Sequence, residues 1–352
     1  MTYKMAIIGM GGMAGWHFDN IKEHIKGLDV TAGFDISKET REKRAKEWGV
    51  KTYNTPEELY ADKDTDIVLV ATPNDSHKDY VINALNSGKH VICEKPVTMN
   101  AEELEEIITT TKKTGKIFSI HQNRRWDPDF LIIKKILADG LLHQPYNIES
   151  RVQGSKRLWG WRAFKQNGGG ILLDWGVHLL DQMLDLIPQD VVSVHGHLHT
   201  MAGSEIDDCF TAMLRFEDGC TGMVDITTNS FIIQPRWHLS CADGTAVVDN
   251  WECEGRIVKQ ADPDEVDWTE HVMYTAAGPT RTMLPRPKST IIETELPPVG
   301  DRKWTDYYVN ILDVLNGKAE LIVTPQQALR VMKVIDALFE SDRTGEAVKK
   351  RI

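Results

Sequence analysis

The stretch Ile7-Ile8-Gly9-Met10-Gly11-Gly12-Met13-Ala14-Gly15 constrains this chain more than any other. It follows a short apolar run and precedes a helical pattern, so its GxGxxA spacing reads as strand, tight turn and helix. Gly9 allows the turn, Gly11 lets a ligand come close to the backbone, and the small Ala14 lets the helix pack tightly on the strand. The helix start at Gly12 and Met13 offers unpaired N–H groups and the positive end of its dipole to an anion. The pyrophosphate of a dinucleotide fits these features together.

Residues 30–35 read as a second strand ending in Asp35, about 20 positions past the glycine loop, where a ribose binder belongs. A carboxylate there accepts from the ribose hydroxyls and repels a 2′-phosphate, which favours NAD over NADP. Lys38 and Arg41 follow closely and soften that preference.

Composition narrows the class. A chain of 352 residues is expected to hold about two domains. A net charge of −11 without a basic block argues against a nucleic-acid partner. No apolar run approaches the roughly 20 residues of a membrane span, and no signal segment precedes the first strand. The five cysteines show no CxxC spacing, which fits reduced thiols in the cytoplasm and argues against zinc held by cysteine. No metal is expected.

The first third alternates strands (5–9, 30–35, 66–71, 90–94, 116–121) with helices (13–25, 38–48, 77–87, 100–114). That rhythm predicts a parallel sheet. Beyond residue 123 the pattern changes to helices over 128–139 and 168–187, then strands over 191–199, 209–216, 220–230, 237–242 and 246–250. Consecutive strands predict an antiparallel sheet. Helices over 304–316 and 324–340 close the chain, the second with Thr324 as cap and Pro325 in its first turn. The fold expected is α/β: a Rossmann dinucleotide domain over 1–123, and an α+β domain with a large, mostly antiparallel open sheet over 124–352.

Three stretches converge on one site. The loop Ala71-Thr72-Pro73-Asn74, with His77 behind it, follows a strand's carboxyl end and is expected to line the cofactor. Glu94-Lys95-Pro96 ends another strand, and an ammonium there is placed to polarise a reacting oxygen. In Gly168-Gly169-Gly170-Ile-Leu-Leu-Asp174-Trp-Gly-Val-His178-Leu-Leu-Asp181, helical spacing puts Asp174, His178 and Asp181 on one face. A histidine beside carboxylates is a candidate general base. Read singly, each stretch has a plain structural alternative: a capping turn, a solvated lysine, a core histidine.

Together these motifs resemble the glucose-fructose oxidoreductase, inositol dehydrogenase and rhizopine catabolism (Gfo/Idh/MocA) family of sugar and polyol oxidoreductases, across almost the whole chain. The resemblance implies that Lys95 contacts substrate and nicotinamide, that His178 is the acid/base, that Asp174 positions both, and that Asp181 binds substrate hydroxyls. It implies that Asn123-Arg124-Arg125-Trp126 links the domains, with Asn123 and Glu94 near the cofactor and Arg124 reaching the substrate. Trp161 and Arg162, ahead of the triple glycine, resemble the branch acting on glycosides and glucopyranoses, often at the 3-hydroxyl; the alternative is tryptophans filling a domain interface. The family also implies a homo-oligomer, dimer or tetramer, built through the open sheet. His195, His197 and His199 fall on one face of a strand and are expected to be exposed or at that interface rather than at a metal. The expected activity is NAD-dependent oxidation of a secondary hydroxyl. The alternatives are redox-neutral glycoside cleavage through transient oxidation and, from another class, a non-catalytic sugar or dinucleotide sensor.

Overall fold

The computed structural model describes residues 2–201, 203, 205–262, 273–280 and 286–352. Its N-terminal part runs β1 (Tyr3–Ile8), α1 (Gly12–His24), β2 (Leu28–Phe34), α2 (Lys38–Trp48), β3 (Lys51–Thr52), α3 (Pro56–Ala61), β4 (Ile67–Val70), α4 (His77–Asn86), β5 (His90–Cys93), α5 (Ala101–Thr114) and β6 (Phe118–Ile120). Among the described residues these strands form a six-stranded sheet ordered β3-β2-β1-β4-β5-β6, every pair parallel. The order reverses between β1 and β4, and their carboxyl ends create the crevice where ligands of such sheets bind. All four residues of β4 are apolar and buried, as a strand covered on both faces requires.

The second part follows with α6 (Pro128–Ala138), β7 (Pro145–Gln153), α7 (Val177–Leu186), β8 (Val191–His199), β9 (Cys209–Phe216), β10 (Thr221–Thr227), β11 (Trp237–Cys241), β12 (Gly244–Val248), β13 (Gly255–Gln260), β14 (Met273–Thr275), β15 (Gly278–Thr280), β16 (Ile291–Thr294), α8 (Asp306–Leu315) and α9 (Pro325–Thr344). The sheet order is β16-β13-β12-β11-β7-β10-β9-β8, antiparallel except for β7 beside β10, with β14 and β15 as a separate ribbon. One face packs on helices. The other is open: along β9, Phe210, Ala212, Leu214 and Phe216 are buried while Thr211, Met213 and Arg215 are exposed, the period of two a half-covered sheet demands. His195, His197 and His199 lie exposed on the same face of β8, with His197 Nδ1 2.9 Å from Asp342 Oδ1.

One hydrophobic cluster joins both parts, from Met5 on β1 to Leu338 on α9. The α9 start carries a full capping box between Thr324 and Gln327, with Pro325 in the first turn. Several elements differ from expectation, and two bear on the site. β7 sits at the centre of its sheet although its pattern is largely polar. Only Ile148 and Ser150 are buried, and Asn147, Glu149, Arg151 and Gln153 satisfy one another or Asp225. The helix expected over 168–187 opens with a π-helical turn, Leu172–Gly176, before α7. Among the described residues no helix is long and apolar enough to cross a membrane.

Candidate active site

The glycine loop closes on the third-strand loop. Gly9 has φ +86°, and a Cβ there would stand 2.7 Å from the Ala71 carbonyl oxygen, so only glycine fits the turn. A Cβ built on Gly11 or Gly12 meets nothing within 4 Å, which leaves room for a pyrophosphate against the backbone. Asp35 is oriented by this same loop: its Oδ2 accepts from Met10 N at 2.8 Å and its Oδ1 from Ser37 N at 2.9 Å. Arg41 donates to the Asp35 carbonyl at 2.6 Å and Arg44 Nε to the Met10 carbonyl at 3.1 Å. The open backbone at Gly11 and Gly12 and the carboxylate of Asp35 beside it are features that fit a dinucleotide.

Strand register builds the next layer. β5 and β6 pair at Cys93 and Ile120, so the residues that follow, Glu94 and His121, emerge side by side, and Lys95 and Gln122 come next. Glu94 turns inward and is buried. Lys95 Nζ instead reaches Asp174, donating to Oδ1 at 2.8 Å and to the carbonyl oxygen at 2.7 Å. The Lys95–Pro96 peptide is cis. His77 is buried between the Pro96 and Thr72 carbonyl oxygens, at 2.9 Å from each, and so joins the two loops from behind. Asn74 donates to the Gly168 carbonyl at 2.9 Å and ties the cofactor loop to the triple-glycine turn. Asn123 is buried.

That turn is anchored by Asp207. Its Oδ2 accepts from Leu172 N at 2.7 Å, and a Cβ on Gly170 (φ +113°) would lie 2.1 Å from its Oδ1. Burial raises the Asp207 carboxyl to about 6 despite those backbone donors. The π-helical turn beyond it carries Asp174, whose Oδ1 also accepts from Arg162 Nε at 3.0 Å. Burial opposes ionisation of Asp174, but Lys95 and Arg162 outweigh it and hold the carboxyl below its usual range. His178 is buried, with Nδ1 3.0 Å from Gln122 Oε1. Burial pushes its pKa well below the ordinary 6.5, and Lys95 and Arg124 push the same way. The imidazole is therefore neutral near pH 7. With Nδ1–H donated to Gln122, Nε2 keeps the lone pair.

Arg124 lies among three tryptophans, 4.0 Å from the Trp175 ring centre, 5.3 Å from Trp304 and 5.6 Å from Trp251, and Nη1 donates to Asp127 at 2.9 Å. Arg162 lies 4.5 Å from the Trp161 ring centre. The structure thus brings Lys95, Asp174 and Arg162 into direct contact, with His178 on the following turn under the charge of Lys95 and Arg124. Asp181 is elsewhere. It is buried in a two-pronged ion pair with Arg125, Nε to Oδ2 and Nη2 to Oδ1 at 2.7 Å each, so both of its carboxylate oxygens are engaged by that guanidinium. Sequence reasoning missed Gln122, Asp207, Trp175, Trp251 and Trp304. Gln122 alone had a signal, its place just past a parallel strand's carboxyl end.

Residues 3–122 match the family model described as an oxidoreductase family with an NAD-binding Rossmann fold, and residues 130–247 match the GFO/IDH/MocA C-terminal domain. The chain belongs to the Gfo/Idh/MocA family. This Gfo/Idh/MocA oxidoreductase is similar to an NAD-binding protein from Listeria innocua, whose crystal structure gives a TM-score of 0.91 at 40% identity over 99% of each chain. The scyllo-inositol 2-dehydrogenase (NADP(+)) of Bacillus subtilis is 27% identical, covering 99% of this chain and 96% of its own. A scyllo-inositol 2-dehydrogenase (NAD(+)) of the same organism is 28% identical, covering 64% of this chain and 68% of its own. The N-terminal domain is an NAD-binding Rossmann domain.

Proposed function

We propose that this chain oxidises a secondary hydroxyl of a sugar, glycoside or polyol, with Lys95, Asp174 and His178 as its catalytic residues. The reading is carried by one observation: a buried, neutral imidazole, bonded at Nδ1 to Gln122 and with no Nε2 partner among the described residues, stands one helical turn past the carboxylate that grips Lys95. His178 Nε2 takes the hydroxyl proton. Lys95 donates two of its three N–H groups to Asp174, and the third binds the reacting oxygen and stabilises the charge that develops there. Asp174 keeps the ammonium aimed. Arg124 and Arg162 bind neighbouring hydroxyls, and the Trp161 face packs on a ring's C–H face. NAD, when bound, accepts the hydride from the same carbon. Inositol dehydrogenases among the relatives support a polyol or sugar substrate. The open face of the eight-stranded sheet is the surface we assign to self-association, as a dimer or tetramer.

The test is absorbance at the reduced-nicotinamide band with NAD and a panel of sugars, glycosides and inositols. A substrate-dependent rise is the expected outcome. A flat trace with NAD bound to the protein would turn the assignment to an internal redox cycle, and aryl-glycoside cleavage would then be assayed.

NAD is the preferred form in this reading. Asp35→Ala should weaken NAD about tenfold or more, because a charge-assisted hydrogen bond to the ribose is lost. NADP should weaken less, since Arg41 and Arg44 remain beside the loop. Titrating both cofactors checks this, and an unchanged preference would remove Asp35 from the ribose site.

A further inference from the structure

Below the Lys95 turn lies a buried polar cluster that the proposed reaction leaves without a role. Glu94 Oε1 is 2.7 Å from His17 Nε2 and 2.8 Å from His121 Nδ1, and the Tyr308 hydroxyl is 2.5 Å from His17 Nδ1. All four side chains are buried. Their donor directions are forced. Burial opposes a charge on Glu94, but His121 and His17 outweigh it and hold the carboxyl well below its ordinary range. An ionised carboxylate only accepts, so both imidazoles donate to it. Burial lowers His17 to about 4, so it is neutral; having given its proton at Nε2, it accepts at Nδ1 and Tyr308 donates. Glu94 Oε2 also accepts from Lys95 N at 3.2 Å.

The same trio has the composition of a metal site, with ligating atoms within 4.8 Å of one another. Ligands of a tetrahedral zinc at about 2.0–2.1 Å stand more than about 3 Å apart, whereas these pairs stand at hydrogen-bond distance. Shared protons describe them better than an ion.

Topology suggests the purpose. Glu94 and His121 follow the paired strand ends Cys93 and Ile120, and the next two residues, Lys95 and Gln122, reach across to Asp174 and His178. The inner pair therefore sits directly behind the outer pair. His17 joins from α1, the helix that follows the glycine loop, and Tyr308 from α8, 291 positions further along the chain. We infer that Glu94, clamped by His17, His121 and Tyr308, is a positioning residue. It locks the Lys95 and Gln122 turns in one register, so that the ammonium and the imidazole address the same substrate carbon. This inference rests on the roles proposed for Lys95 and His178.

Charge gives the clamp a measurable signature. The charged and titratable groups that act on His178 are Lys95 and Glu94 from the β5 turn and Arg124 and His121 from the segment after β6. Lys95, Arg124 and His121 disfavour a proton on His178, and Glu94 opposes them. Removing the Glu94 charge should move the His178 titration to lower pH.

The experiment uses the full-length NAD-loaded protein, its Glu94→Gln variant and the gentler Tyr308→Phe. ¹⁵N-histidine NMR without substrate reads the ring protons of His17 and His121 and the titration of His178. Steady-state kinetics reads kcat and KM separately. In Glu94→Gln the ring-proton signals should shift upfield as their bonds to a charged oxygen become bonds to a neutral one, Lys95 N should lose its acceptor, and the His178 titration should move to lower pH. There kcat should fall by about 10- to 100-fold with KM and NAD affinity little changed, as when a group supporting an active-site residue is removed. Tyr308→Phe should act in the same direction with a smaller loss. An unmoved His178 titration in both variants, or normal kcat in a Glu94→Gln protein whose ring-proton signals have shifted, would overturn the clamp. The NMR arm needs no turnover, so it judges the clamp even if the proposed oxidation fails.

Discussion

His178→Ala should lower turnover by a factor on the order of 10² to 10⁴ while the protein stays folded and binds NAD. The ring lies at the α7 end of the site, bonded to Gln122, and no part of the glycine loop depends on it. Lys95→Ala should fall in the same range, because it removes the donor aimed at the developing oxyanion. Its partner Asp174 keeps Arg162, so that carboxylate is not left unpaired. The double variant should lose little more than the worse single one, since the two groups act on the same oxygen and proton. The pH profile separates them. The His178 pKa is depressed by burial and by two cations, so the free base is present at neutral pH and is lost only as pH falls through that low value. The wild-type kcat/KM should therefore be level around neutrality and fall in acid, and the His178→Ala residual rate should lack that acid limb. Near-normal turnover in either single variant would remove that residue from the mechanism.

Local pattern carried the parts of this molecule whose causes are local. The glycine loop, the apolar β4 and the cap of α9 each follow from spacing over a few residues, and the structure places them as that spacing implies. The failures have a common origin in distance along the chain. β7 lacks apolar alternation because the polar side chains on its open face are satisfied by neighbours such as Asp225, 72 positions away from Gln153. Asp207 anchors Leu172 from 35 positions further on. The tryptophans around Arg124 come from a π-helical turn, from the turn before β13 and from the approach to α8. The Glu94 cluster draws on α1, two strand ends and α8. No window of sequence contains these partners together, so residue type alone could not pair them.

Asp181 is where the two kinds of reasoning divide most sharply, and Asp181→Ala decides between them. The family resemblance gives it a substrate hydroxyl, which predicts a stable protein with a raised KM. The structure gives it Arg125, with two 2.7 Å contacts between side chains that are almost wholly buried. Truncating one partner leaves a guanidinium in the interior, and breaking such a pair costs about 3–5 kcal/mol. The lower end applies here, because Asp185 remains 3.4 Å from Arg125 Nη1 and the Ile322 carbonyl and Gln327 also accept from it. Urea unfolding of Asp181→Ala should show a midpoint lowered accordingly, while the folded enzyme keeps a KM within about twofold of wild type. A stable variant with a large rise in KM would return Asp181 to the substrate site. The companion pair Asp181→Leu with Arg125→Met should recover much of the lost stability, because two apolar side chains of similar volume leave neither charge unpaired. A substrate ligand has no such rescue: removing a second residue behind it cannot restore a missing hydrogen bond to a sugar.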